Sequence, residues 1–360
     1  MQIDMHFGGT YVVARAAGFS HAEALLIANS AQYVDDATTT GFVRFDNAAL
    51  YQRTATAHKM LSGDNLDDLA NHLAWLPFHF LPGNGGQPAG QGTGTLYADR
   101  LICTPNSPVA QDVIANCIAK RGEAYGLYLL GITAHVFVDT YAHQGFAGMI
   151  HRVNVVSDIE SADPSVSESW TTEVQNLWGK VTDKGVMLGH GLAHTYPDYP
   201  WLSWRYKNGH EEAVDRDNLS IFIDAMDELC KVFQRYRLGD ANANAAVDGL
   251  PATVHAALLA NLQAITDEDG GDRLDRWLTL LQNDAFGFGA EAVAYTATGW
   301  RYDAIGTTEE MGENTWEDVK VLPYPPNFPT TDWKLFHDAA KEHRHAVIEQ
   351  ILPRYGLCAA

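Results

Sequence analysis

The chain has 360 residues, of which 46% are hydrophobic and 19% charged, and a formal net charge of −21. Its length and apolar share supply a sizeable core and exclude a disordered chain. The charge, with a pI near 4.9, repels nucleic-acid phosphates and anionic lipid, so a polyanionic substrate would need a strongly local positive site, whereas small or zwitterionic substrates are easier to accommodate.

The start, Met1-Gln2-Ile3-Asp4-Met5-His6, lacks the basic and apolar regions of a signal peptide, so cytoplasmic residence is expected and secretion would need a non-classical route. Asp4 and His6 form an Asp-x-His pair where a frayed polar tail is the ordinary expectation, and they are candidate metal ligands. Helices are expected at 9–18, from Ala22 to Asp36 behind the capping box Ser20/Glu23, at 46–60, and at 64–74. Asp35 and Asp36 end the second of these against the helix dipole, a conflict that a cation would remove. His79 stands between Phe78 and Phe80 in a rigid apolar setting and is a further candidate ligand.

The stretch from Pro82 to Pro108 is a Gly/Pro-rich excursion within a chain that otherwise reads as one elaborated unit, 1–360. Pro108 suits the first turn of a helix through Lys120, and further helices are expected at 123–143, 167–180, 217–236, 251–265, 272–283 and 333–350. Strand patterns are confined to short candidates at 293–298 and 319–322, so the expected class is all-α, a multi-helix bundle with long loops. Tyr196 to Tyr206 reads as a rigid aromatic wall, Asp267 to Asp272 as a solvated acidic turn, and His337, His343 and His345 as surface residues on a charged helix. No segment reads as a membrane span, and Cys103, Cys117, Cys230 and Cys358 are too scattered for a disulfide framework or a zinc ribbon; they read as reduced and structural.

The most informative stretch is Tyr125 to Gly145, which sets His135, Asp139 and His143 four residues apart in an apolar run. On a helix each such step turns about 40° and rises about 6 Å, so the three groups share one stripe. Neighbours at i and i+4 can share an ion, but the two histidines are about 12 Å apart on an ideal helix, so a cluster bridged by Asp139 fits better than one ion. An ionised aspartate in so apolar a run is costly to bury without a cation or a tight pair. His190, between Gly189 and Gly191, and His194 repeat the i, i+4 relation, which points to a ligand role for at least one of them.

The run from Tyr128 to His143 resembles the core helix of the zinc-dependent phospholipase C and P1-nuclease superfamily, whose signature is an apolar-Gly-x-x-x-His-x-x-x-Asp segment, and is most similar to its bacterial phospholipase-like branch. The resemblance implies an all-α fold with up to three zinc ions that hydrolyses phosphoester bonds, with His135 a ligand and Asp139 a bridging ligand. Asp4/His6, Asp35/Asp36 and His79 match its other ligand sites in order only. The chain departs from the pattern at its start, where those phospholipases have a processed Trp, at Tyr141-Ala142-His143 in place of Pro-x-His, and at His190-x-x-x-His194 in place of His-x-x-x-Glu. The expected activity is that of a metal-dependent hydrolase of phosphoester bonds on a small or zwitterionic substrate, with two or three zinc ions. Iron or manganese also suits these ligands. An oxygenase, an amide or carbon–oxygen hydrolase, and a non-catalytic effector or binding protein with structural ions are the alternatives. Asp35 or Asp36 is the candidate to orient or deprotonate the attacking water, Asp36 is also a candidate ligand, and Tyr196, Trp201 and Trp204 are candidates for the pocket rim.

Overall fold

The computed structural model describes residues 1–58, 68–92, 96–163, 166, 188–309 and 320–357. In chain order, a π-helical turn Asp4–Gly9 runs into α1 (Thr10–Ala16), followed by α2 (His21–Asp36), the strands β1 (Gly41–Phe45) and β2 (Leu50–Arg53), α3 (Asp68–Phe78), the short α4 (Tyr97–Arg100), α5 (Pro108–Ala119) and α6 (Gly126–Ala142). Then come β3 (Ser157–Ser161), β4 (Ser203–Lys207), β5 (Ala213–Asp217), α7 (Asn218–Leu238), α8 (Ala252–Ala264), α9 (Gly270–Gln282), α10 (Gly299–Ile305), β6 (Val321–Leu322) and α11 (Asp332–His345), which continues as a π-helical segment Ala346–Ile351. Among the described residues no helix is long and apolar enough to cross a membrane.

Local chemistry sets the helix starts. Ser20 Oγ accepts from Glu23 N at 3.3 Å while the Glu23 carboxylate accepts from Ser20 N at 2.9 Å, which closes the capping box of α2. Ser107 caps α5 at Ala110 N (3.2 Å) ahead of Pro108. Asp269 accepts from Gly271 N and Asp272 N, so the acidic turn is the N-cap of α9.

The fold is helix-rich but not all-α. The expected helix at 46–60 does not form over its described residues, 46–58, which begin with the turn and second strand of a hairpin. Asn47 Oδ1 accepts from Ala49 N at 3.0 Å, Ala48 takes φ +67°, and the turn lets β1 and β2 pair antiparallel from Gly41↔Arg53 to Arg44↔Leu50. β6 adds to β1 in parallel, so the candidate strand at 319–322 forms at Val321–Leu322. A second sheet has the order β3-β4-β5. Residues 293–298 form no strand: Val293 is buried and the Tyr295 hydroxyl donates to Asp36. The expected helix at 167–180 lies outside the described residues.

α6 is the axis of the core, buried on every side from Tyr128 to Ala142. α2 packs directly across it because Gly131 has no side chain: a Cβ there would lie 2.4 Å from Ile27 O and 2.4 Å from Ser30 Cβ. That approach brings the end of α2, with Asp35, beside His135 and Asp139. Gly131→Val should therefore force the two helices apart and lower stability by about 3 kcal/mol, the upper end of the usual cost of overpacking. A thermal melt of the variant checks this; an unchanged midpoint would mean that α2 shifts without penalty.

α11 corrects one sequence reading. Trp333, Phe336, His337, Ala340 and His343 form its buried face, with His337 and His343 each only 2% exposed, and His345 alone of the three histidines faces solvent. The charged residues between them occupy the opposite side. His337 Nδ1 accepts from Thr54 N at 3.2 Å, and His343 Nε2 lies 2.8 Å from Pro77 O. Cys103, Cys117 and Cys230 are buried free thiols.

Candidate metal centre

Three groups of imidazoles and carboxylates, buried except for the partly exposed Asp35 and His190, meet at the ladder: His6, Asp35 and His135; His79, His135 and Asp139; and His143, His190 and Asp198. Asp139 joins them. Its Oδ2 lies 3.2 Å from His135 Nε2 and 3.6 Å from His79 Nδ1, and its Oδ1 lies 3.3 Å from His6 Nε2. Asp35 Oδ1 lies 3.8 Å from His79 Nδ1 and 3.9 Å from His135 Nε2, while Asp198 approaches His143 Nε2 at 3.7 Å and His190 Nε2 at 3.8 Å. The His6 ring stacks on that of His135 with centroids 3.7 Å apart.

The outer nitrogen of each remaining imidazole faces a backbone carbonyl: His135 Nδ1 on Ala31 O (2.8 Å), His79 Nε2 on Thr56 O (3.0 Å), His143 Nδ1 on His79 O (2.8 Å) and His190 Nδ1 on His194 O (2.7 Å). A carbonyl accepts only from N–H, so these contacts place the proton on the outer nitrogen of each ring and turn a lone pair inward. His135 Nε2 and His79 Nδ1 then face each other at 3.1 Å as two lone pairs. Both ring nitrogens of His6, Asp139 Oδ2 and Asp198 Oδ1 are buried without a hydrogen bond among the described residues. Such a set of inward acceptors calls for donors or cations between them, and its nitrogen and carboxylate ligand atoms are those that bind zinc, manganese or iron. The residues present therefore fit a metal cluster.

One cationic group already sits among them. The Met1 ammonium lies 2.8 Å from Asp139 Oδ1, 3.2 Å from Asp198 Oδ1 and 3.4 Å from His143 Nε2. Burial lowers its pKa, but Asp139 and Asp198 outweigh burial and raise it to about 11. Burial also pushes the carboxyls of Asp139 and Asp198 up, yet neighbouring imidazoles and the ammonium hold both well below the usual carboxylate range. Burial depresses His6, His135 and His190 to about 4 each, so at neutral pH these rings are uncharged and their lone pairs are available to a metal. Asp35 is shifted the other way: burial raises it.

Asp4, Asp36 and His194 stand in none of the three groups. Asp4 is fully buried against the guanidinium of Arg273, with Nε to Oδ2 at 2.7 Å, and Arg273 also donates to Gln2 Oε1 (2.6 Å), Asp267 O (2.7 Å) and Glu268 O (2.9 Å). The pair clamps the first residues onto the 267–268 turn and thereby places His6. Asp36 accepts from Tyr295 and from Gln32 Nε2 (3.3 Å). Of the aromatic candidates, Tyr196 and Trp204 are buried packing residues, Trp204 donating to Asn218 Oδ1 at 3.2 Å, and Trp201 stacks on Tyr199 with centroids 4.9 Å apart. A cleft of about 690 Å³ opens onto the centre between Met1, Asp35, His194, Thr195, Tyr199, Glu268 and Asp269.

Asp198, four residues after His194 and eight after His190, continues their four-residue spacing, a signal that was available and not used. Its setting was a second signal, a carboxylate at the head of the aromatic stretch Tyr196 to Tyr206, where a buried charge needs a partner. No curated protein and no solved structure matches the chain. The family model described as a family of unknown function, DUF6765, matches residues 1–351. The chain that carries this His/Asp centre thus belongs to the DUF6765 family.

Proposed function

We propose that the protein is a metal-dependent hydrolase of phosphoester bonds, zinc being the first candidate metal, acting on small or zwitterionic substrates. The observation that carries the reading is the pair of inward lone pairs on His135 and His79, 3.1 Å apart and beside Asp139 and Asp35. Divalent ions held there would supply Lewis acidity toward a phosphoryl oxygen and a water of lowered pKa. Asp139, with one oxygen toward His6 and the other toward His135 and His79, would be a ligand shared between the ions. Asp35 turns one oxygen to the same imidazoles while 33% of its side chain stays exposed on the cleft wall. A carboxylate in that position, raised by burial, can accept the proton of the attacking water and release it to solvent. The backbone carbonyls of Ala31, Thr56 and His79 keep the imidazoles in one tautomer throughout.

Asp35, Glu268 and Asp269 make the cleft wall acidic, in keeping with the net charge of −21. A long polyanion meets repulsion there that a neutral or zwitterionic ester does not. The test is turnover of phosphomonoesters, phosphodiesters, a zwitterionic phosphodiester and single-stranded nucleic acid by the zinc-, manganese- and iron-loaded protein, at two ionic strengths. Small esters should be hydrolysed at rates little changed by salt, with inorganic phosphate inhibiting, while nucleic acid is cut weakly and better as salt rises. Faster cleavage of single-stranded DNA or RNA at low salt would move a nuclease reading to first place. Absence of both ester hydrolysis and phosphate inhibition with every metal would leave an oxygenase, an amide hydrolase or a non-catalytic protein.

A further inference from the structure

The β4–β5 hairpin carries two buried polar residues whose hydrogen bonds all run toward one end of the metal centre. Arg216 is 4% exposed and lies opposite Trp204 in the β4–β5 register, and Asn218, fully buried, opens α7 just beyond it. Arg216 Nη2 donates to Ala142 O at 2.9 Å and Nη1 to Gln144 O at 3.1 Å, the carbonyls on either side of His143. His143 is the C-cap of α6, and a guanidinium there satisfies carbonyls that a buried helix end cannot turn to water while it places positive charge at the negative end of the dipole. Asn218 Nδ2 donates to Tyr196 O at 2.6 Å and to Tyr199 O at 2.8 Å, which bracket Asp198 in the same manner. Trp204 joins the two brackets, its ring 5.6 Å from the Arg216 guanidinium carbon and its Nε1 donating to Asn218 Oδ1 at 3.2 Å. Arg216 cannot ligate a cation, and Asn218 spends its amide oxygen on Trp204. What the pair fixes is the backbone of His143 and of Asp198, which meet at 3.7 Å in the group completed by His190. A metal site needs its ligand atoms held to within about 0.5 Å, and these two come from a helix end and an irregular segment that no regular ladder aligns.

We propose that Arg216 and Asn218 are positioning residues for an ion held by His143, His190 and Asp198, and that this ion depends on them separately from any ion at the His6, His79 and His135 end of the centre. The assignment rests on the metal part of the reading above and not on its phosphoester chemistry. The test uses the full chain loaded with zinc or cobalt(II), its metal content measured by plasma mass spectrometry against graded chelator, and the visible absorption of the cobalt form as the signature of ligand geometry. His190→Ala removes a ligand of this ion directly and defines the cobalt difference spectrum that belongs to it. Arg216→Met and Asn218→Ala should weaken the same ion about 10–100-fold, reproduce that difference spectrum and leave the remaining metal at native affinity. Arg216→Lys fills a volume similar to that of Met but restores the charge and a donor to one of the two carbonyls, so it should recover part of the affinity, which a mere packing role would not predict. Arg216→Lys and Asn218→Ser, which retains a donor, serve if the shorter variants do not fold. Folded variants that keep every ion at native affinity would overturn the proposal, as would variants that lose all ions together, because the two residues would then support the fold and not one ion. Metal uptake by the native protein without ester hydrolysis would strike the phosphoester reading and leave this one standing. If the native protein takes up neither zinc nor cobalt, the metal reading itself fails and this role falls with it.

Discussion

Replacing Asp139 by asparagine should empty the centre of most of its metal and abolish hydrolysis. The substitution keeps the size of the side chain and removes the charge that faces His135, His6, His79 and the Met1 ammonium at 2.8–3.6 Å. Partners outside the coordination sphere commonly cost 10–100-fold in metal affinity when removed, so a shared carboxylate should cost at least about 100-fold. Native protein should hold at least two transition-metal ions per chain and the variant fewer, by plasma mass spectrometry. The folded state of the variant is checked by circular dichroism, since an asparagine in a buried hydrogen bond alone would lower stability and leave the metal in place. Full metal content in a folded Asp139→Asn protein would remove Asp139 from the bridging role.

Removing the ions should destabilise the native protein itself. Asp35, Asp139 and Asp198 converge in the interior with inward lone pairs, and an ion bound at about 1,000 times its dissociation constant stabilises by about 4 kcal/mol, or roughly 5 °C in a chain of this length. A chelator should therefore lower the thermal midpoint by about that much for each ion lost, and re-added zinc should restore it. Acid should act in the same direction. Burial holds His6, His135, His190 and His343 near 4 and His337 near 3, against an ordinary value of 6.5. A group depressed in this way binds its proton more readily in the unfolded chain, so its contribution is complete above pH 6.5 and is lost as the pH falls toward 4. Protons would also displace metal from His6, His135 and His190 across that window. Melts from pH 7.5 to 4 with and without chelator should show the metal-dependent gap closing as the midpoint falls. A midpoint that is flat from pH 7 to 4 and indifferent to chelator would contradict both the burial of these rings and the presence of bound ions.

The residues legible without coordinates were those that local geometry places. His135, Asp139 and His143 declare one helix stripe by their spacing, Ser20 and Glu23 declare a helix start, and Gly131 lies four residues before His135 where the resembled signature also has glycine. The hairpin at Gly41–Arg53 escaped because its turn is set by Asn47 and the positive φ of Ala48, which no helical period reveals. His337 and His343 were hidden by charged neighbours, although Trp333, Phe336 and Ala340 share their face.

What the tertiary structure alone decided is which acidic and imidazole groups meet. Asp4 turns to Arg273 and Asp36 to Tyr295, partners more than 250 residues away in the chain, and each is thereby drawn out of the centre. Asp35, the neighbour of Asp36, points in because successive residues on a helix face about 100° apart and α2 presses against Gly131. Asp198 enters from an irregular segment, and His194, four residues after His190, turns its carbonyl instead of its ring to that histidine. Spacing along a helix constrains neighbours within a few residues, whereas the partner of a buried charge is chosen by which remote segment packs beside it. For this reason the sequence by itself determined the kind of site and its central stripe, and the packing of α2, the first residues and the 188–198 segment around α6 determined its membership.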